Sequence, residues 1–189
     1  MWEAEADSVV ADVVMMFGAG GCSSMALEED RERVELQERV LLLPQFNAQV
    51  AWDLGAILRT LASERRLAVV IDVRRFGQPL FYTALEGTTP DNVDWVRRKS
   101  NLVARLLRSS YAIGLTLKAK GETLQEKYGL PVADYAAHGG SFPLSVERAG
   151  VVGSVTVSGL PQRADHELVI EGLCAMLGRD YSSLCLSAE

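Results

Sequence analysis

The stretch LAVVIDVRRFGQPLFYTAL, residues 67–85, carries the clearest indication of the fold. Its first seven residues are rich in β-branched side chains, FGQP at 76–79 is typical of a turn, and residues 80–85 are apolar again. This order predicts two strands joined by a tight turn. Strands joined in this way pair antiparallel, which argues against a doubly wound parallel sheet.

A second hairpin is predicted nearer the C-terminal end of the chain. Residues 144–147 are a short strand candidate, and a turn follows around Ala149 and Gly150. Residues 151–157, VVGSVTV, alternate so that three valines share one face, as in a half-buried strand. Four antiparallel strands are therefore expected.

Helical patterns occupy most of the remaining chain. They are predicted over residues 28–43, 46–61, 90–109, 110–128 and from Pro161 to Gly178. The third begins with an N-cap at Thr89 and a proline at the next position, and the fourth is broken at Gly121. Residues 111–117 also alternate as in a strand, but the stretch to residue 128 is interpreted as helical. With 90–109 and 110–128 counted as one helical region, the element order is α-α-β-β-α-β-β-α, which indicates an α+β fold with helices covering the sheet faces.

The composition fits one globular domain. The chain has 189 residues, of which 48% are hydrophobic and 23% charged, and this excludes collagen-like, disulfide-scaffold and disordered classes. The first 30 residues hold seven acids and no Lys or Arg, which leaves 18 acids against 19 bases in the rest. Because that remainder is nearly neutral, neither nucleic acid nor an anionic membrane surface is an expected partner.

The chain is expected to divide into a leader, one domain and a short tail, and its compartment is inferred from cysteine usage. Residues 1–27 are expected to be a disordered leader, 28–180 a single domain and 181–189 a tail. The uncharged run at 13–27 has only 15 residues and follows acids, so neither a signal peptide nor a membrane span is predicted. The three cysteines form no CxxC pair, which favours a reducing compartment, the cytoplasm.

Two histidines are available for a histidine-centred site. His138 precedes Gly139 and Gly140 in a loop where the backbone can approach a ligand closely and free N–H groups can face an anion. The alternative is a tight turn with no ligand. His166 shares a helix with Cys174, and two ligands do not make a metal site, so we expect a partly exposed helical histidine there.

A second candidate group lies on the helix predicted over 90–109. Trp95, Arg98 and Lys99 occupy neighbouring positions at one edge of its apolar stripe. A guanidinium beside an indole can hold a carboxylate such as a haem propionate, or can lie over the core with its charge in water. Ser141 is outside any Gly-x-Ser-x-Gly motif, so a hydrolase using it requires a carboxylate that orients His138.

Several short motifs occur in a fixed order along the chain. They are DNVDWVRRK at 91–99, SSY at 109–111, YGLP at 128–131, HGGSFP at 138–143 and GVVGSVTVSG at 150–159. With this series, residues 35–178 resemble the haem-degrading-domain superfamily of the GlcG and HbpS type, and more narrowly its uncharacterised branch. The resemblance implies a profilin-like, three-layer α/β/α fold around a central antiparallel sheet, assembled as a homo-oligomer.

The resemblance also implies a ligand. Relatives of this type are associated with binding haem, iron or corrinoids, and their loop before the penultimate strand resembles Gly139, Gly140, Ser141, Phe142 and Pro143 here. This loop is therefore a candidate pocket wall. The haem-ligand histidine near the N-terminal helix of those relatives has no counterpart in this chain, whose N-terminal region contains no histidine.

These observations lead to one leading hypothesis and two rivals. The chain binds a small anionic or tetrapyrrole ligand, with haem as the candidate cofactor, between the His138 loop and the helix edge at Trp95. His138 would coordinate or hydrogen-bond the ligand, Arg98 and Lys99 would pair with its carboxylates, and the glycine N–H groups would line the wall. The rivals are a non-catalytic oligomeric assembly module with no ligand and a small-molecule hydrolase.

Overall fold

The computed structural model describes residues 20–187, with side chains from Met25 onward. Its helices are α1 Gly20–Val40, α2 Ala48–Glu64, α3 Pro90–Leu106, α4 Ser110–Lys120, α5 Leu124–Tyr128 and α6 Gln162–Leu177, followed by a 3-10 turn at Tyr181–Ser183. Its strands are β1 Leu42–Leu43, β2 Val70–Arg75, β3 Gln78–Ala84, β4 Ser141–Val146 and β5 Gly150–Ser158. Residues 1–19 of the expected leader lie outside the described residues.

The strands form one sheet in the order β1-β4-β5-β2-β3. Both predicted hairpins are present, and β2 also pairs antiparallel with β5, which joins the two hairpins into one sheet. The sequence patterns missed β1, whose two residues pair in parallel with β4. The antiparallel sheet is therefore confirmed, with a short parallel addition at one edge.

Helices cover both faces of the sheet. On one face, α2 and α6 pack against each other and against alternating strand residues. The largest buried side chains there include Leu54, Leu58, Phe142, Leu144, Ile170 and Leu173. On the other face, α3 lies over β4 and β5, where polar residues such as Thr156 are buried. This arrangement is the expected three-layer α/β/α fold.

Local sequence sets the ends of α3 and α4. At the start of α3, the Thr89 N–H donates to Asn92 Oδ1 at 2.8 Å, as the capping pattern predicts. The helix ends before residue 109 because Leu107 adopts the left-handed conformation, with φ of 55°. Gly121 adopts the same conformation and separates α4 from α5, as predicted.

The described chain ends differ from the simple expectation of a leader and a tail. Helix α1 already begins at Gly20, within the range expected to be a leader. After α6, the chain turns back onto the domain, and Leu184 and Leu186 are buried. The C-terminal segment therefore contributes to the packing around α1 and α6.

His166 is fully buried, which corrects the expectation of a partly exposed histidine. Its ring lies between Tyr111 and Phe142, with centroids 4.9 and 6.0 Å away. The Gln37 amide donates from Nε2 to the Leu184 carbonyl, so its Oε1 accepts from His166 Nε2 at 2.8 Å. This assignment leaves His166 Nδ1 unprotonated and without a partner among the described residues.

Acid should destabilise this arrangement, because burial and the nearby Arg163 lower the pKa of His166 from 6.5 to about 3. The unfolded chain has the higher pKa and binds the proton first as pH falls, so the free energy of unfolding declines below pH 6.5. The decline from this group should reach about 1.4 kcal/mol per pH unit. His166→Gln keeps a donor for Gln37 and should remove that contribution. Urea unfolding at several pH values measures both slopes, and equal slopes would contradict the prediction.

Candidate functional site

The loop that carries His138 packs closely against the backbone of neighbouring elements, so that two glycines are required beside it. A Cβ on Gly114 of α4 would collide with the carbonyl oxygen of Ala137, and a Cβ on Gly140 would collide with that of Val157 in β5. Gly140 also has φ of 117°, a conformation that L side chains rarely adopt. The Gly140 carbonyl in turn accepts the Val157 N–H at 2.7 Å. The loop is therefore fixed on both sides of His138.

A buried ion pair lies beneath this loop. Lys99 Nζ is 2.8 Å from Asp165 Oδ2, and the two side chains are 3% and 2% exposed. Lys99 also donates to the Val157 carbonyl at 3.3 Å, and Asp165 Oδ1 accepts the Leu160 N–H at 2.9 Å. Lys99 was expected to pair with a ligand carboxylate, and the structure corrects this because its partner is a carboxylate of the same chain.

Burial and pairing act in opposite directions on these two groups. Burial lowers the pKa of Lys99 and raises the pKa of Asp165, since both charged forms lose their hydration. The short contact between them favours the charged forms. The pair is therefore stable only while both partners are present, and either charge alone would be costly at this depth.

Trp95 links α3 to the His138 loop. The Arg98 guanidinium lies over the indole, 4.0 Å from its centroid, and the His138 ring approaches the indole edge to face at 5.0 Å. Trp95 Nε1 donates to Asp91 at 3.1 Å, and Arg98 Nε donates to Asp94 at 2.7 Å. The structure thus brings together Trp95, Arg98 and His138, as predicted, but Arg98 already has a carboxylate partner.

The His138 residue is exposed, although one side of its ring contacts Trp95. Its ring nitrogens have no hydrogen-bond partner within residues 25–187. Partial burial lowers the pKa of His138, and the positive charges of Lys99 and Arg98 lower it further. The imidazole is therefore neutral near pH 7, and an unprotonated nitrogen can accept a hydrogen bond or bind a metal.

The remaining residues of the predicted loop support it from within the domain. The Gly139 N–H donates to Gln162 Oε1 at 3.3 Å and is not free to face an anion. Ser141 is fully buried, with its hydroxyl 2.8 Å from that of Thr156, and Phe142 belongs to the core. Ser141 and Phe142 are therefore structural residues, and the expectation that their side chains form a pocket wall is not met.

Three cavities meet at His138. The smallest, about 200 Å³, lies towards α3 and has the Lys99 and Asp165 pair in its lining. The second, about 310 Å³, lies between α4, α5 and the loop and is called the apolar cleft. The largest, about 510 Å³, is called the His138 groove and is lined by α1, α4, the loop, the start of α6 and Ser187. His138 is common to all three.

The described part of the chain contains no candidate site for a metal ion held by several side chains. Within it, no group of three or more His, Cys, Asp or Glu side chains could hold a metal ion. Among the described helices, none combines the length and apolar character that crossing a bilayer requires.

Sequence reasoning missed Asp165 and Gln162, which fix the loop from α6. Asp165 is an acid in the first turn of a helix, a position where acids are common as capping and dipole partners. That signal explains its presence but does not point to Lys99. The pairing becomes visible only when α3 and α6 meet at the end of β5.

Removing one member of the buried pair should strongly destabilise the protein. Lys99→Met leaves the Asp165 carboxylate buried without a partner and should lower the free energy of unfolding by about 3–5 kcal/mol. The neighbouring Arg97 forms exposed ion pairs with Asp94 and Asp134, so Arg97→Met is a matched control with a much smaller effect. Urea unfolding at pH 7 compares the two, and an equal loss in both variants would contradict the role of the pair.

Comparison with known proteins agrees with this fold. The sequence model of the family described as "Haem degrading protein HbpS-like" matches residues 46–174. A UPF0303 protein of Paraburkholderia phymatum is 60% identical over 163 residues, covering 86% of this chain and 99% of that protein. The crystal structure of Ybr137w protein matches with a TM-score of 0.73 and 31% identity, over 78% of this chain and 87% of that one.

A more distant match shares the fold alone. The crystal structure of a PduOC:Heme complex has a TM-score of 0.58 and 14% identity, covering 69% of this chain and 94% of that one. The superfamily resemblance drawn from the motif series is therefore confirmed. The chain belongs to the haem degrading protein HbpS-like family, and its near relatives are UPF0303 proteins.

Proposed function

We propose that this protein binds a tetrapyrrole, with haem as the candidate, in the His138 groove, and that His138 would hold its iron. One observation carries the proposal: an exposed imidazole without a hydrogen-bond partner among the described residues lies where three cavities meet. The family description and the PduOC:Heme complex, which shares the fold, support the same ligand class.

The residues present fit such a ligand in three respects. A neutral imidazole is a ligand that haem iron accepts, and the pKa of His138 is lowered so that this form predominates near pH 7. The groove volume of about 510 Å³ falls within the roughly 300–1,000 Å³ typical of ligand sites. The loop is already held by its contacts at Gly114 and Gly140, so little ordering is required on binding.

Each neighbouring residue has a defined part in this proposal. His138 would hold the iron, and Trp95 with Arg98 would fix the orientation of the imidazole from its other side. Gly139, Gly140 and Lys99 would act as positioning residues beneath the loop. When bound, the haem iron would supply redox or oxygen chemistry, which the polarity of the surrounding residues would tune.

Of the two rival functions, the hydrolase is not supported and assembly is kept as part of the proposal. A hydrolase using Ser141 has no support, because that hydroxyl is buried and bonded to Thr156. Assembly remains part of the proposal: we infer a homo-oligomer, supported by the exposed Trp52, Phe76 and Tyr82 around the edge strand β3. A reducing compartment, the cytoplasm, is supported by the free Cys174 and Cys185.

The test is a titration of the full chain with hemin, followed through the Soret band. The wild type should bind one hemin per chain at saturation, and His138→Ala should weaken binding at least tenfold, because the side chain that would hold the iron is lost. Added imidazole should restore the wild-type Soret position in the variant. Light scattering and thermal melting should give the same assembly size and stability for both proteins.

Two outcomes would contradict the proposal. If hemin gives no saturable shift with the wild type, the haem site is wrong. If His138→Ala instead changes the assembly size or melting temperature while hemin binding is unaffected, the loop serves assembly rather than ligation. Arg105→Ala, an exposed change elsewhere on the α3 surface, provides a control for non-specific hemin adsorption.

Hemin binding should weaken as the pH becomes acidic. Protonation removes the ring lone pair that binds iron, and burial with the charges of Lys99 and Arg98 holds the pKa of His138 below 6.5. Affinity should therefore be constant from pH 8 to 7 and fall only as the solution becomes more acidic than pH 6.5. Hemin titrations across this range check the prediction, and a fall that begins above pH 7 would contradict it. His138→Ala should lack this dependence.

A further inference from the structure

The apolar cleft and the His138 groove are two halves of one continuous surface. Both are lined by Gly114, Lys118, Ala137 and His138. Beyond this shared wall, their chemistry differs. The apolar cleft continues mainly over apolar residues, Leu117, Leu124, Val132, Tyr135 and Ala136, with Arg98 and Glu122 at its charged points. The His138 groove is more mixed: Asp30, Tyr111, Gln162 and Arg163 lie beside Ala26, Leu27, Leu115 and Pro161.

The charged groups along this surface are nearly all paired within the chain. Arg98 pairs with Asp94, Arg163 with Asp30, and Glu122 with Lys127. Lys99 is bound to Asp165 below the loop. The exception is Lys118, which is exposed and whose ammonium has no carboxylate partner within residues 25–187. It lies on the wall that the two cavities share.

We propose that Lys118 binds a carboxylate of the ligand and that the apolar cleft takes the ligand's uncharged edge. This inference rests on the proposed function and narrows it to a ligand class: amphipathic tetrapyrroles that carry their carboxylates on one edge. A ring with carboxylates on every side would place charge against the apolar residues of the cleft and near the Glu122 carboxylate, which also lines it. Lys118 is thus a specificity-determining residue beside the ligating His138.

The helix offers a matched pair of variants for the test. Lys118 and Lys120 are both exposed residues of α4, but Lys120 lines neither cavity. Lys118→Met and Lys120→Met remove the same charge from the same helix. Because both positions are at the surface, neither change should affect folding, which thermal melting verifies.

The probes are metal-free porphyrins, whose binding to the full chain is followed by porphyrin fluorescence. Protoporphyrin, with two carboxylates on one edge, should bind the wild type and the Lys120→Met variant equally and the Lys118→Met variant about fivefold more weakly. Its dimethyl ester, which has no charge, should bind all three proteins equally. Uroporphyrin, with carboxylates around the whole ring, should bind the wild type at least tenfold more weakly than protoporphyrin.

A variant on the apolar side tests the other half of the inference. Val132 is 68% exposed, so Val132→Asp should leave the fold intact while weakening both protoporphyrin and its ester. Equal effects of the two lysine variants, or uroporphyrin binding as tight as that of protoporphyrin, would overturn the inference. Failure of every metal-free porphyrin to bind would overturn this inference, while the hemin titration decides the proposed function separately.

The two proposals can fail separately. Metal-free porphyrins have no iron for His138 to hold, so their binding does not depend on ligation. If protoporphyrin binding depends on Lys118 while the hemin Soret band is unchanged by His138→Ala, only the axial-ligand assignment fails. If hemin binding requires His138 but the lysine variants are indistinguishable, only the specificity assignment fails.

Discussion

The buried ion pair between Lys99 and Asp165 is the interaction on which the geometry of the site depends. It joins α3 to α6 at the end of β5, and the Gly140 backbone runs so close to it that no side chain would fit. A pair this deeply buried is retained only where further hydrogen bonds satisfy its remaining atoms, and the Val157 carbonyl and the Leu160 N–H do so here. Because the loop rests on this pair, His138 is held at the surface in one place.

The opposite wall of the His138 groove depends on polar contacts of α1. Gln37 connects α1 both to His166 and to the C-terminal segment, and the Glu38 carboxylate accepts the Ser109 N–H at 2.7 Å, where α4 begins. Asp30 meets Arg163 and also accepts the Tyr111 hydroxyl. These contacts fix α1 beside α4, so the width of the groove is set by groups that are themselves largely buried and would be costly to leave unpaired.

The charged groups around His138 keep its imidazole neutral and are themselves largely paired within the chain. Lys99 and Arg98 lower the pKa of His138, yet each is balanced by a carboxylate of the chain. Arg98 and Lys99, which the sequence analysis predicts to bind ligand carboxylates, are therefore already paired within the chain. Under the proposed function, the recognition of an acidic ligand therefore falls to Lys118, a residue that the sequence patterns did not single out.

The sequence by itself determined the two hairpins, the cap at Thr89, the break at Gly121 and the unusual loop at His138, because each depends on residues adjacent in the chain. It also determined the family, since the motif series is a property of order along the chain. The burial of His166 against Gln37, 129 residues away, and the pairing of Lys99 with Asp165, 66 residues away, follow from the three-dimensional packing alone. Such pairings depend on which elements pack against each other in the folded protein, and so does the position of His138 beside three cavities. Neither periodicity nor turn chemistry specifies that packing.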